Sequence, residues 1–172
     1  MAVLLDDTTV ALRLGLAFAF GTVLGVEREL RGQAAGLRTH LLVCLGSCLF
    51  TLASLYAGLA IEGQTGGAQD PLRADITRIA SQVVVGIGFL GGGAILRHGT
   101  TVRGLTTAAN LWLTASVGLS VGLGFTFAAA FTVGLALVVL AALRPVERFI
   151  ARLRSGLHLH KDKDVADSPP PQ

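Results

Sequence analysis

Charge is what this sequence has least of. Only 15% of its 172 residues are Asp, Glu, Lys or Arg, against about a quarter in an ordinary soluble domain. Cysteine is scarce as well. The two present, Cys44 and Cys48, fall inside an apolar run on one helix face and read as small packing residues, since neither a disulfide framework nor a zinc site follows from such a pair. A basic leader is missing: Asp6 and Asp7 stand where the charged start of a secretory signal would be expected. Catalytic groupings are missing too, with no Ser/His/Asp set in a strand–turn–helix context, no clustered intramembrane histidines and no phosphate loop. The GIGFLG stretch matches part of a dinucleotide fingerprint but lacks the βαβ setting that gives it meaning. These absences exclude a soluble globular enzyme and predict a protein that is not an enzyme.

What is present is apolar surface, 52% of the residues, gathered into runs. A bilayer core about 30 Å thick needs roughly 20 helical residues. Thr8 to Val26 has that length, with Arg13 one turn in and able to snorkel. Leu41 to Ile61 and Ile79 to Leu96 follow. Gly104 to Leu143 holds 40 residues without a charge, too long for one span and right for two, with the turn at Gly122-Leu123-Gly124. The expected fold class is therefore all-α, a polytopic membrane bundle of about five transmembrane helices over 1–143. Eleven basic residues fall on one side of such a bundle: Arg28, Arg31, Arg38, Arg97, Arg103 and the six after the last span. The other side holds Arg13, Arg73 and Arg78. The basic side should be cytoplasmic, with the N-terminus out and the C-terminus in. Topology thus accounts for the net charge of +3, and nucleic acid is not an expected partner.

Beyond the spans, VERFIARLRSGL puts Val146, Phe149, Ile150, Leu153 and Leu157 on one helical face. Residues 144–160 read as an amphipathic helix lying in the cytoplasmic interface and residues 161–172 as a disordered tail. A weak repeat at an offset of 68 residues aligns Gly36-Leu37-Arg38-Thr39 with Gly104-Leu105-Thr106-Thr107, and Gly25 with Gly93. Each copy opens a helix after a cytoplasmic loop, a pattern of parallel repeats that some transporters use.

The polar residues in and beside the spans are the functional candidates. Asp75, Arg78 and Gln82 share one face at the outer end of the third helix, and Gln82 lies a turn into the apolar zone, where an amide needs the bundle or a cavity to satisfy it. They make either an ion or solute site or a structural pair with an interhelical hydrogen bond. Glu27 and Arg28, at the inner end of the first helix, are either a charge-balanced helix end, with Glu27 and Arg31 paired at i, i+4, or a place where Mg²⁺ could meet carboxylate oxygens; the metal assignment stays unknown. Asn110, one turn into the fourth helix, either bonds another helix or reaches opened carbonyls of the third, while Thr106 and Thr107 suit a helix cap. Arg38 and Arg103, beside the two repeat copies, complete the polar set. His40 and His98 at cytoplasmic helix ends are weak metal candidates. The third helix carries Gly86, Gly88, Gly91, Gly92 and Gly93, five glycines in eight residues. Such a segment is costly for an ordinary helix and reads as a packing face or an unwound stretch.

Several of these pieces, taken in order, resemble the MgtC/SapB family of bacterial inner-membrane proteins: Gly25-Val26-Glu27-Arg28-Glu29, Gly36-Leu37-Arg38-Thr39-His40, Arg78-Ile79-Ala80-Ser81-Gln82, Gly86-Ile87-Gly88-Phe89-Leu90-Gly91, and Val102-Arg103-Gly104-Leu105-Thr106-Thr107-Ala108-Ala109 before Leu111-Trp112. Gly92 stands where alanine is usual and Asn110 where threonine is usual. The resemblance implies the family's hydrophobic domain without the soluble, ACT-like C-terminal domain of its virulence-associated members, in the inner membrane, with a role in magnesium-related homeostasis and, in pathogens, survival in macrophages. No cofactor is implied, Mg²⁺ aside. Partners would be the lipid bilayer, further copies in a homo-oligomer, and a membrane protein such as the F-type ATP synthase. Two mechanisms stay open. A regulator would bind another membrane protein through the glycine-rich face. A transporter or channel-like protein would bind an ion or small solute at polar residues of the first, third and fourth helices.

Overall fold

The computed structural model describes residues 6–65, 76–98 and 100–141, with side chains over 6–59, 81–97 and 100–141. In chain order it contains α1 (Asp7–Leu30), α2 (Leu37–Thr65), α3 (Ile76–Ala94), β1 (Leu96–His98), β2 (Thr101–Arg103), α4 (Leu105–Leu123) and α5 (Thr126–Ala141). The expected interfacial helix at 144–160, the tail at 161–172 and Asp75 lie outside the described residues, as do the side chains of Arg78 and His98. Two compact units divide the chain, Met1–Gly134 and Leu135–Gln172; the first holds α1 to α4, the hairpin and the start of α5.

All-α is the right class, with one addition. The segment between α3 and α4 forms a small antiparallel hairpin in which Leu96 pairs with Arg103, Arg97 with Val102 and His98 with Thr101. The helices begin and end for local reasons. Asp7 in the first turn and Arg28 in the last turn of α1 each oppose the helix-dipole charge at their end. Gly32, at φ 61°, turns the chain out of α1, and the Glu29 carboxylate reaches forward to accept the Leu37 N–H (2.9 Å) at the start of α2. Gly104 at φ 90° precedes α4 and lies against the Ala94 carbonyl so closely that a Cβ has no room. Neither Thr106 nor Thr107 is the cap of α4; Gly104 takes that position with no side-chain cap bond. α4 closes on Gly124, with Gly124 N–H donating to Val121 O and Phe125 N–H to Ser120 O, the paired bonds of a Schellman motif.

α2 is the central helix, packed on α1, α3 and α4, and α4 also packs on α1 and α3. The approach is close because glycine faces it from both sides. On α1, Gly21 and Gly25 lie against α2, where a Cβ at Gly25 would come within 2.8 Å of the Leu37 Cα. On α4, Gly118 lies against the Cys44 carbonyl, and a Cβ at Gly122 would come within 2.6 Å of the Thr51 Cβ. Both pairs are spaced i, i+4, the small-xxx-small pattern that lets helix backbones meet in membranes. Cys44 and Cys48 fill the space between them, fully buried and unpaired as a disulfide.

Burial differs from that of a soluble protein. Beside buried Leu24, Leu111, Val117, Val121, Ala17 and Cys44, the interior holds many polar groups: Ser47, Thr51, Ser54, Thr107, Asn110, Thr114, even Arg13, Arg28 and His40. Large apolar side chains face outward, Phe89 at 84% exposure and Leu12, Val85 and Tyr56 above 60%. Water would oppose that arrangement; lipid, as apolar as leucine, does not. α1 and Leu37–Leu59 of α2 are long and apolar enough to cross a membrane, and Ser81–Ala94 and α5 are shorter apolar helices.

Candidate functional site

The densest polar chemistry lies at the end of the bundle where α1 finishes and α2 and α4 begin. Arg28 is in the last turn of α1, 2% exposed. Its guanidinium donates to Gln33 Oε1 (2.8 Å), in the turn after Gly32, and to Thr107 Oγ1 (3.2 Å), in the first turn of α4. Gln33 Nε2 donates in turn to the Arg31 carbonyl (3.3 Å). One turn deeper, His40 of α2 and Asn110 of α4 meet: Nε2 of the imidazole lies 2.9 Å from the Asn110 Nδ2, while its Nδ1 lies 2.8 Å from the Gly36 carbonyl. A carbonyl only accepts, so Nδ1 carries the hydrogen and Nε2 accepts from the asparagine amide. His40 is fully buried and Asn110 4% exposed. Through these bonds the network ties α1 and its following turn to α4, and α2 to α4.

Beside it, Glu27 is ion-paired with Arg31 one turn along α1, and Glu29 is committed to the Leu37 N–H. Both carboxylates are engaged by the protein. Among the described residues no group of three or more His, Cys, Asp or Glu side chains gathers as a metal ligand set would.

At the opposite end, Arg13 does not snorkel outward as its position suggests. It is 7% exposed, and its guanidinium donates to the Gly122 carbonyl (2.7 Å) in the last turn of α4 and lies against Gly124. A cation on the last carbonyls of a helix is favourably placed against the dipole.

The predicted polar set is divided. Arg28 and Asn110 belong to the buried network, with Glu27 beside it. Arg38, Arg97 and Arg103 are exposed at the same end. Gln82 is elsewhere: it is exposed on α3 and lines an apolar groove of about 520 Å³ between α2 and α3, with Leu42, Gly46, Phe50, Gly86 and Leu90 along it. Asn110 does not line that groove, and it bonds His40 rather than carbonyls of α3. The glycine-rich segment is continuous helix through Ala94, so it is not unwound. Inside this chain it also packs little. Gly91 is within 3.6 Å of Ala108, but a Cβ at Gly86, Gly88, Gly92 or Gly93 would meet nothing within 4 Å. Gln33 is the network member the sequence did not single out, while His40 was a weak metal candidate and Thr107 a cap candidate, not bonding partners of Asn110 and Arg28. The signal was there as geometry: His40 stands one turn into α2 and Asn110 one turn into α4.

Comparison with known proteins agrees with this arrangement. The family model described as the MgtC family matches residues 14–149. Protein SapB of Bacillus subtilis is 36% identical over 91 residues, 53% of this chain and 37% of its own length. YhiD of Escherichia coli K12, provisionally named a magnesium transporter, is 44% identical over 85 residues, 49% of this chain and 37% of that protein. Protein MgtC of Salmonella typhimurium LT2 is 43% identical over 88 residues, 51% of this chain and 32% of that protein. The matched segment thus spans about a third of the length of these relatives. No solved structure matches. With the family model covering most of the chain, this membrane protein belongs to the MgtC family.

Proposed function

We propose that the chain is a multi-pass protein of the bacterial inner membrane, crossing it five times with the N-terminus out, and that it serves magnesium-related homeostasis without enzymatic chemistry, by docking on another membrane protein through α3. The magnesium assignment rests on family membership and on the name of the YhiD relative. The docking assignment rests on one observation. Three helices carry glycines at i, i+4. Gly21/Gly25 on α1 and Gly118/Gly122 on α4 are both spent on α2, whereas Gly88/Gly92 on α3 has open space above it. Close approach is what such a pair provides, and none of the described residues supplies the partner surface here. Self-association and association with a different membrane protein both use the same face.

The transport reading has less support. It requires polar side chains to converge on a cavity, and Gln82 lines a groove that Asn110 does not share. In the buried network the Arg28 guanidinium, His40 and Asn110 are bonded to groups of the same chain.

The test is growth in low magnesium of a strain that depends on this protein. Gly88→Leu with Gly92→Leu should abolish complementation while the purified variant melts as the parent does, because none of the described residues occupies that face. Gln82→Leu should complement. Loss of complementation in well-folded Gln82→Leu, with the glycine variant active, would transfer the function to the α2–α3 groove and overturn the docking reading.

A further inference from the structure

Among the described residues, the end of the bundle that carries the buried network is positively charged at its surface, and its two carboxylates, Glu27 and Glu29, are engaged within the chain. Arg38 in the first turn of α2, Arg97 on β1 and Arg103 on β2 are exposed. Glu27 is ion-paired with Arg31 and Glu29 caps α2, so neither carboxylate neutralises Arg38 or Arg103. The same surface is strongly apolar. Leu96 is 57% exposed, Val102 46% and Leu105, the first residue of α4, 59%. In the hairpin register Leu96 lies opposite Arg103 and Val102 opposite Arg97, so two of the three cross-strand pairs join one aliphatic residue to one arginine. A soluble acidic partner would match the charges and leave the aliphatics unexplained. A phospholipid presents both an anionic head and an apolar tail, and arginine over an aliphatic stem is the side chain that bridges them.

From this we propose that the hairpin and the start of α2, at the same end of the bundle, form a docking surface for anionic phospholipid headgroups, Arg38 and Arg103 meeting phosphates while Leu96, on the same face of the hairpin as Arg103, enters the acyl boundary. The exposed end lies where the helices leave the apolar layer, so headgroups are its immediate neighbours. Each arginine held near an anionic surface strengthens binding roughly fivefold, so removing two should weaken it up to about thirtyfold at low salt.

The experiment uses the full chain purified in a neutral detergent, titrated separately with dioleoylphosphatidylglycerol, dioleoylphosphatidylcholine and soluble glycerol phosphate, with lipid retention counted by native mass spectrometry and melting followed in parallel. The expected result is preferential retention of the phosphatidylglycerol with an upward shift in melting, a preference that shrinks in high salt, falls at least tenfold in Arg38→Gln/Arg103→Gln, and is largely restored by Arg38→Lys/Arg103→Lys. Equal retention of the two lipids by the parent protein would overturn the proposal, whatever the variants do. So would an unchanged preference in the double glutamine variant. Equal stabilisation by glycerol phosphate would instead assign a soluble phosphate site and remove the lipid.

Discussion

His40 and Asn110 carry an interhelical bond whose geometry leaves the imidazole neutral, one nitrogen donating to Gly36 and the other accepting from the amide. Arg28 does more, since its charged guanidinium serves two acceptors, on the turn after α1 and on α4. Hydrogen bonds from a charged group contribute about 1.5–3 kcal/mol, roughly twice a neutral one, and neutral interhelical bonds in membranes average nearer 0.6. Arg28→Met should therefore cost about 2–3 kcal/mol and Asn110→Leu about 1 kcal/mol. Melting of the purified variants checks the ranking; a costlier Asn110→Leu would mean that the α2–α4 bond, not the arginine, holds this end together. In the sequence both residues were visible as polar groups out of place, but their partners were not. Asn110 alone is compatible with any neighbouring helix, and only the shared depth of His40 and Asn110, set by Gly25 letting α1 approach the start of α2 and by Gly118 letting α4 approach it from the other side, makes the pairing inevitable.

At the scale of the helix, glycine separates what is structural from what is available. Gly118 faces the Cys44 carbonyl with no room for a methyl group, whereas Gly88 faces nothing. Gly118→Ala should destabilise by about 1–3 kcal/mol through overpacking, and Gly88→Ala should be neutral or stabilising by up to about 1 kcal/mol, the difference in helix propensity. Paired melting curves decide it, and a destabilising Gly88→Ala would place a hidden packing partner on that face. The helices themselves were legible because charge-free runs of spanning length have few alternatives, and the Gly124 turn fell within the glycine cluster that marked it. The roles of the glycines were less legible. Density drew the eye to GIGFLGGG, yet the glycines that hold the bundle together are the spaced pairs Gly21/Gly25 and Gly118/Gly122, whose signal is period and not number. The hairpin was missed because three-residue strands carry no period at all, and HGTTVRG reads as a turn in either case.

For the whole molecule, the arginines and the helix ends now share one frame. Arg28, Arg31, Arg38, Arg97 and Arg103 all stand where α1 and α3 end and α2 and α4 begin, and Asp6 and Asp7 stand at the start of α1, away from them. The positive-inside rule leads us to expect this basic end on the cytoplasmic side, and the two native cysteines make the test clean, because both are fully buried and should give little background labelling. We expect cysteine introduced at Asp7 to react with a membrane-impermeant maleimide on intact spheroplasts, and cysteine introduced at Thr101, in the exposed hairpin, to react only after the membrane is opened. Reversed reactivity would invert the topology and put the arginine-rich end outside, facing a surface with no reason to select for it. Reaction of both sites from outside would mean that α1, α2 and α3, the helices between them, do not all cross, and the apolar outer surface of this chain would then need a partner protein, in place of lipid, to cover its phenylalanines and leucines.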